Sequence, residues 1–160
     1  KIHLMVFFEY FRWGKSPRWK REKRLIKGIK NTFLLILGAA GKKLKQDLVK
    51  EQEIILNLSS ILAEAYVAES VYLKVQKLSY SSQAIIDLPI QEKIAQLYLY
   101  KSLNKVQNKA KEAIDSFASG FEKRILKYFV SKLLPSYLQN PKALSREITD
   151  HALLQKNYPF

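Results

Sequence analysis

The chain has 160 residues, 48% of them apolar, 28 Lys or Arg against 14 Asp or Glu for a net charge of +14, and no cysteine. That length and apolar content suffice for one domain with a real core, and the lack of cysteine excludes disulfide staples, thiolate zinc sites and cysteine nucleophiles and fits a reducing compartment. His3 and His151 stand at opposite ends of the chain, neither in a helical pair with a carboxylate, so neither a metal centre nor a Ser-His-Asp triad is expected.

The positive charge is concentrated at one end. Residues 1–50 hold 14 Lys or Arg against 3 acids, whereas residues 51–160 hold 14 against 11. The chain opens on Lys1, which reads as a segment of a longer protein, and Glu9 and Arg12 interrupt the first apolar run, so a signal peptide is not expected. In residues 1–24 bulky aromatics alternate with cations: Phe7, Phe8, Phe11, Arg12, Trp13, Arg18, Trp19, Lys20, Arg21, Lys23 and Arg24. Aromatics beside cations favour an anionic membrane interface, each basic side chain contributing about 1 kcal/mol near the bilayer. The plain alternative is a solvated linker whose aromatics dock on the rest of a larger protein.

Gly14, Ser16 and Pro17 close that segment, and a first helix is predicted to begin near Pro17 to Arg21. Its inward stripe is Ile26, Ile29, Phe33, Leu37, Ala40, Leu44 and Leu48, at spacings of 3, 4, 4, 3, 4 and 4. The run Gly38-Ala39-Ala40-Gly41-Lys42 has neither the glycine spacing nor the following Ser or Thr of a phosphate loop. Its small residues are read as a site where another helix approaches closely. The longest apolar run, Phe33 to Leu37 extended through Gly41, falls short of the roughly 20 residues a bilayer span requires. No spanning segment is expected.

A long helical stretch follows from Leu48 to Leu78, with Ile54, Leu58, Ile61, Ala65, Ala68, Tyr72 and Val75 alternating at spacings of 4 and 3. The stretch Ser79 to Gln83 reads as a loop, and Pro89 opens the next helix with Glu92 in its first turn. That helix buries Ala95, Leu99, Leu103, Val106, Ala110, Ala113 and Phe117 and is predicted to end at Gly120. Phe121 to Leu134 forms a shorter helix stopped by Pro135. Asn140 and Pro141 then cap and start a last helix through Leu144, Ile148 and Ala152, ahead of an irregular tail. No run alternates with period two, so the expected fold is all-α, an antiparallel bundle of about five helices over residues 25–160.

In order, the run LVKEQEIILNLSSILAEAYVAES, the helix closing in KEAIDSFASG and the terminal LSREITDHALL resemble acyl-CoA dehydrogenases. More narrowly, they are similar to the extra C-terminal helical domain of the very-long-chain type. The matching positions are Glu51 to Glu53, Ala65 to Ser70, Lys111 to Ile114, Ser116 to Ala118 and the helix from Leu144, all packing or surface positions. The resemblance implies a noncatalytic C-terminal domain of a flavin-dependent enzyme of fatty-acid β-oxidation. Its partners would be the catalytic domains of the same polypeptide, in a homodimer whose extra bundle replaces the second dimer of smaller relatives. FAD would belong to the parent enzyme and not to this segment. Localisation would be cytoplasm or mitochondrial matrix, peripheral on the inner membrane, with residues 1–24 as the membrane-facing element.

The residues agree that chemistry lies elsewhere, because Glu51, Glu53, Glu64, Glu69, Glu112 and Glu122 have no cofactor motif beside them and read as surface or salt-bridging groups. No catalytic, cofactor-binding or metal-ligating residue is assigned. A stand-alone peripheral membrane or adaptor bundle is the alternative. A nucleic-acid binder ranks last, since no helix-turn-helix spacing or base-reading cluster is visible.

Overall fold

A computed structural model of the chain describes residues 19–80, 88–137 and 139–155. These form five α-helices: α1 (Lys20–Leu44), α2 (Gln52–Leu78), α3 (Leu88–Phe117), α4 (Gly120–Leu133) and α5 (Pro141–Gln155), with a 3-10 turn (Lys45–Lys50) between α1 and α2. The all-α bundle expected from the apolar periodicity is therefore the fold. α1, α2 and α3 pack on one another, α4 packs on α1 and α3, α5 packs on α3, and α2 and α4 do not touch. The α1–α3 pair thus has α2 on one flank and α4 on another.

The predicted stripe of α2 is the centre of the core, with Ile54, Leu58, Ile61, Ala65, Ala68, Tyr72 and Val75 all buried. The stripe of α3 is buried along its whole predicted length, from Ala95 to Phe117. In α1 the pattern needs correction. Leu37 is 38% exposed and Ile36 fills the core in its place, while Leu25 and Thr32 are buried positions that the predicted stripe omits. α1 also stops at Leu44, because Lys45 adopts a left-handed φ of +50° and donates its N–H back to the carbonyl of Gly41. Leu48 therefore sits in the 3-10 turn, and α2 begins at Gln52, four residues later than predicted.

The glycines are also reassigned. A Cβ at Gly38 or Gly41 would meet open space, so no helix approaches there. The close approach is at Gly28, where a Cβ would collide with the backbone carbonyl of Leu133 at the end of α4. Gly120 has the positive φ expected of it, +54°, but it opens α4, and α3 ends at Phe117. Pro89 is the second residue of α3, and Glu92 falls just beyond the first turn. The cap of α5 is as predicted: Asn140 Oδ1 accepts the N–H of Ala143 at 3.1 Å, with Pro141 as first helical residue. Ser81 to Gln83 of the predicted loop and the tail 156–160 lie outside the described residues.

Candidate interaction surfaces

α2 has a second apolar face. Opposite the core stripe, Ile55, Leu56, Leu62, Tyr66, Val67 and Leu73 point away from the bundle, Tyr66 with 71% and Leu62 with 48% of its surface exposed. The exposed residues between Ile55 and Leu73 include no charge, only these side chains with Ser59, Ala63 and Ser70. At 1.5 Å per residue this face runs for about 27 Å. The serines do little to wet it, because the Ser70 hydroxyl donates to the carbonyl of Tyr66 at 2.9 Å and the half-buried Ser60 hydroxyl to that of Leu56 at 2.9 Å. By length and composition α2 could cross a bilayer, which corrects the expectation that no segment could; 28% of its most apolar stretch is buried in the bundle.

The two acids in the middle of α2, Glu64 and Glu69, are turned to its neighbours. Glu69, nearly buried, accepts from Lys30 Nζ of α1 with both carboxylate oxygens at 2.7 Å. Glu64 accepts from Lys105 Nζ of α3 at 2.6 Å and from the Tyr98 hydroxyl at 3.0 Å. Burial alone would raise the Glu64 pKa, but donation from Lys105, Ser102 and Tyr98 outweighs it and holds the carboxyl below its usual range. Burial, with Glu64 as acceptor, pushes Tyr98 up to about 12. Glu112 pairs with Lys109 and Glu122 with Lys43, so these four carboxylates are salt-bridging groups, as the sequence suggested.

α4 presents a different surface. Only Leu126 and Val130 of this helix are buried, while Phe121, Ile125, Tyr128 and Phe129 face outward, Phe121 at 77% and Tyr128 at 58% exposure. Cations stand among them. Lys132 Nζ lies 5.4 Å from the centre of the Tyr128 ring, and Lys123 and Lys127 both pair with Asp115 of α3. Sequence reading missed this face, although Phe121-Ile125-Phe129 and Leu126-Val130 are two separate apolar rows at helical spacing, one more than a helix with a single buried side requires.

The residues singled out near the N-terminus are divided by the structure. Phe7, Phe8, Phe11, Arg12, Trp13 and Arg18 lie outside the described residues. Trp19 is 4% exposed and packs edge-to-face on Tyr72 of α2, with ring centroids 5.1 Å apart. It is a core side chain, which removes it from any membrane-facing set in this fold. Lys20, Arg21, Lys23 and Arg24, placed ahead of the bundle on sequence, form the first turns of α1. Arg21 lies over the Tyr137 ring at 4.7 Å, and the Tyr137 hydroxyl donates to Glu22 at 3.0 Å.

One cleft among the described residues, about 270 Å³, lies between α3 and the α4–α5 connection and is lined by Tyr100, Asn104, Gln107, Ser136, Tyr137 and Gln139. Small-molecule pockets measure about 300–1,000 Å³ and enclose most of their ligand, and no cation lines this cleft to face a diphosphate. The residues here do not fit a flavin dinucleotide. Among the described residues no three His, Asp or Glu side chains converge as a metal site.

Comparison with known proteins gives these surfaces a context. The family profile described as acyl-CoA dehydrogenase, C-terminal domain, matches residues 28–132. A probable acyl-CoA dehydrogenase of Bacillus subtilis (strain 168) is 28% identical over an alignment 120 residues long that covers 71% of this chain and 19% of that protein. The crystal structure of an acyl-CoA dehydrogenase complexed with FAD from Bacillus anthracis superposes with a TM-score of 0.80 at 23% identity, over 98% of this chain and 26% of that one. The chain therefore spans about a fifth of the curated relative and about a quarter of the solved one.

Proposed function

Because the chain belongs to the family of acyl-CoA dehydrogenase C-terminal domains, we propose that it is the noncatalytic helical domain of a flavin-dependent acyl-CoA dehydrogenase, of the very-long-chain type. It packs on the catalytic part of the same polypeptide through the outer face of α2. The observation that carries this reading is that face, apolar and without an exposed charge for about five turns. An exposed helix of this kind suits a dry protein interface, since monomeric domains rarely leave so long an apolar strip in water. The flavin and the catalytic base belong to the remainder of the polypeptide, in keeping with a domain whose Glu69, Glu122, Glu64 and Glu112 are engaged by Lys30, Lys43, Lys105 and Lys109.

Assembly follows from the same packing. A domain that covers the catalytic part occupies surface that would otherwise pair with another subunit, so the parent enzyme is a homodimer. Placement at a membrane completes the reading, with the basic aromatic residues Phe7 to Arg18 as the element nearest the lipid, in the cytoplasm or on the matrix side of the inner mitochondrial membrane.

The test uses the native polypeptide, captured with an antibody to residues 50–120 and measured for mass and visible flavin absorbance. A chain several times this size carrying flavin is the expected result. A chain of about this size without flavin overturns the reading in favour of a stand-alone peripheral or adaptor bundle.

A further inference from the structure

We propose that α5 is a hinged strap, a helix that opens away from α3 as one unit while α1 to α4 stay folded. Among the described residues the buried apolar side chains form one continuous core with two exceptions, Ile90 at the start of α3 and Leu144 of α5. α5 thus adds no side chain to that core. It packs on α3 alone, whereas every other helix packs on at least two. A satellite contact of this kind opens at a smaller free energy than the core it leans on.

The attachment is light. Leu144 is the one described side chain of α5 that is buried. The ion pair between Lys93 of α3 and Glu147 joins two well-exposed groups and adds little. The closed position also leaves the tip of the helix in water, with Leu153 71% and Leu154 85% exposed.

The chain ahead of α5 is fixed, which places the pivot. Leu134 is buried in the core, and its carbonyl accepts from Gln107 Nε2 at 2.9 Å. Tyr137 is buried, its hydroxyl donates to Glu22 at 3.0 Å, and the Gln139 side chain donates to the same hydroxyl oxygen. The pivot therefore falls at Asn140. From there α5 is satisfied from within: Asn140 Oδ1 accepts the N–H of Ala143, the Asn140 carbonyl accepts that of Leu144 at 3.1 Å, and Pro141 has no N–H to place. Among the described residues no backbone hydrogen bond ties 135–143 to α1, α2 or α3. Turning about Asn140 breaks neither a backbone bond to the bundle nor the helix cap. The helix swings instead of unravelling from its end. This inference uses contacts within the chain alone and goes beyond the dehydrogenase reading, so either can fail without the other.

The absence of cysteine from the chain supplies the test. Single variants Leu144→Cys, Ile148→Cys, Val75→Cys and Val130→Cys of the full 160-residue chain are labelled with a thiol reagent under native conditions, and their melting points are recorded. Leu144→Cys and Ile148→Cys are expected to react at similar rates, at least a hundredfold faster than Val75→Cys in α2 and Val130→Cys in α4, with little dependence on dilute denaturant. Adding Lys93→Gln and Glu147→Gln to Leu144→Cys should speed its labelling by a factor of about 2–5. In the parent chain, hydrogen exchange over 141–155 should run ahead of α1 to α4, which checks the result without any substitution. Labelling of Leu144→Cys as slow as that of Val75→Cys, or equally steep in denaturant, would overturn the proposal. So would fast Ile148→Cys beside slow Leu144→Cys, the signature of a fraying end, or a melting point lowered by Leu144→Cys as far as by Val75→Cys.

Discussion

α2 and α4 are both apolar on two sides, yet their outer faces differ in kind. The outer face of α2 has no exposed charge between Ile55 and Leu73, and its own acids, Glu64 and Glu69, turn to lysines of the bundle. The outer face of α4 sets Phe121, Ile125, Tyr128 and Phe129 among Arg124, Lys127 and Lys132. Desolvating α2 costs no ion its water, so a protein surface can cover it completely. Covering α4 in the same way would strand cations in a dry interface unless the covering surface brings acids to meet them. Exposure of apolar side chains is thus an incomplete guide to a partner. The charges between those side chains decide which partner can take them.

The largest expected effect tests which side of α2 faces inward. Ala65 is 1% exposed in the middle of the core stripe. Ala65→Asp would bury a charge with no partner and should cost about 3–5 kcal/mol, enough to unfold a marginal domain. A melting curve matching the parent would mean that the two faces of α2 have been exchanged. Next comes the seat of α4. Gly28→Ala would drive a methyl into the Leu133 carbonyl, which is backbone and cannot turn aside. A loss of about 2–3 kcal/mol is expected, with hydrogen exchange in α4 rising more than in α2. Equal changes in both helices would mean that α4 is not held separately.

How much of this was legible depended on whether a residue's role was local. The core stripes of α2 and α3 came from spacing alone, because a helix packed along its length repeats the same demand every turn. The end of α1 did not, because Lys45 takes a left-handed backbone that sequence normally announces with Gly or Asn. Nothing in Leu44-Lys45-Gln46 marks the break, and the apolar period runs straight through it to Leu48. Gly28 is less conspicuous in the sequence than Gly38 and Gly41, since a close approach depends on where Leu133 lies, 105 residues away in the chain. By composition Trp19 is indistinguishable from Trp13, and only the position of Tyr72 shows that it belongs to the core. The outer face of α2 is written in the sequence as apolar residues between the core positions, which a single inward stripe does not account for.

A smaller effect separates the ion pairs of α2 from its outer face. Glu64 has a folded-state pKa below its ordinary value of 4.5 despite the opposing effect of burial, through donors led by Lys105. A depressed carboxyl pKa contributes stability that is present above the unfolded value and lost as pH falls through the folded one. Glu64→Gln should therefore cost about 1–2 kcal/mol at neutral pH, reduced by the exposure of Lys105. The deficit relative to the parent should shrink below pH 4.5 and vanish in more acidic solution. A deficit independent of pH would assign the effect to packing of the side chain and not to its charge.

The smallest effect on stability carries the most information about function. Leu62→Ser with Tyr66→Ser changes two side chains that are exposed in the isolated domain, so its unfolding free energy should change by less than about 0.5 kcal/mol. In the full-length polypeptide the same pair should open the junction between this domain and the rest, seen as faster proteolysis between them and a shift in oligomer size. If instead the substitutions destabilise the isolated domain, α2 is already covered within the chain. Its charge-free face would then be an internal surface, leaving α4 as the one helix of the pair that meets the outside.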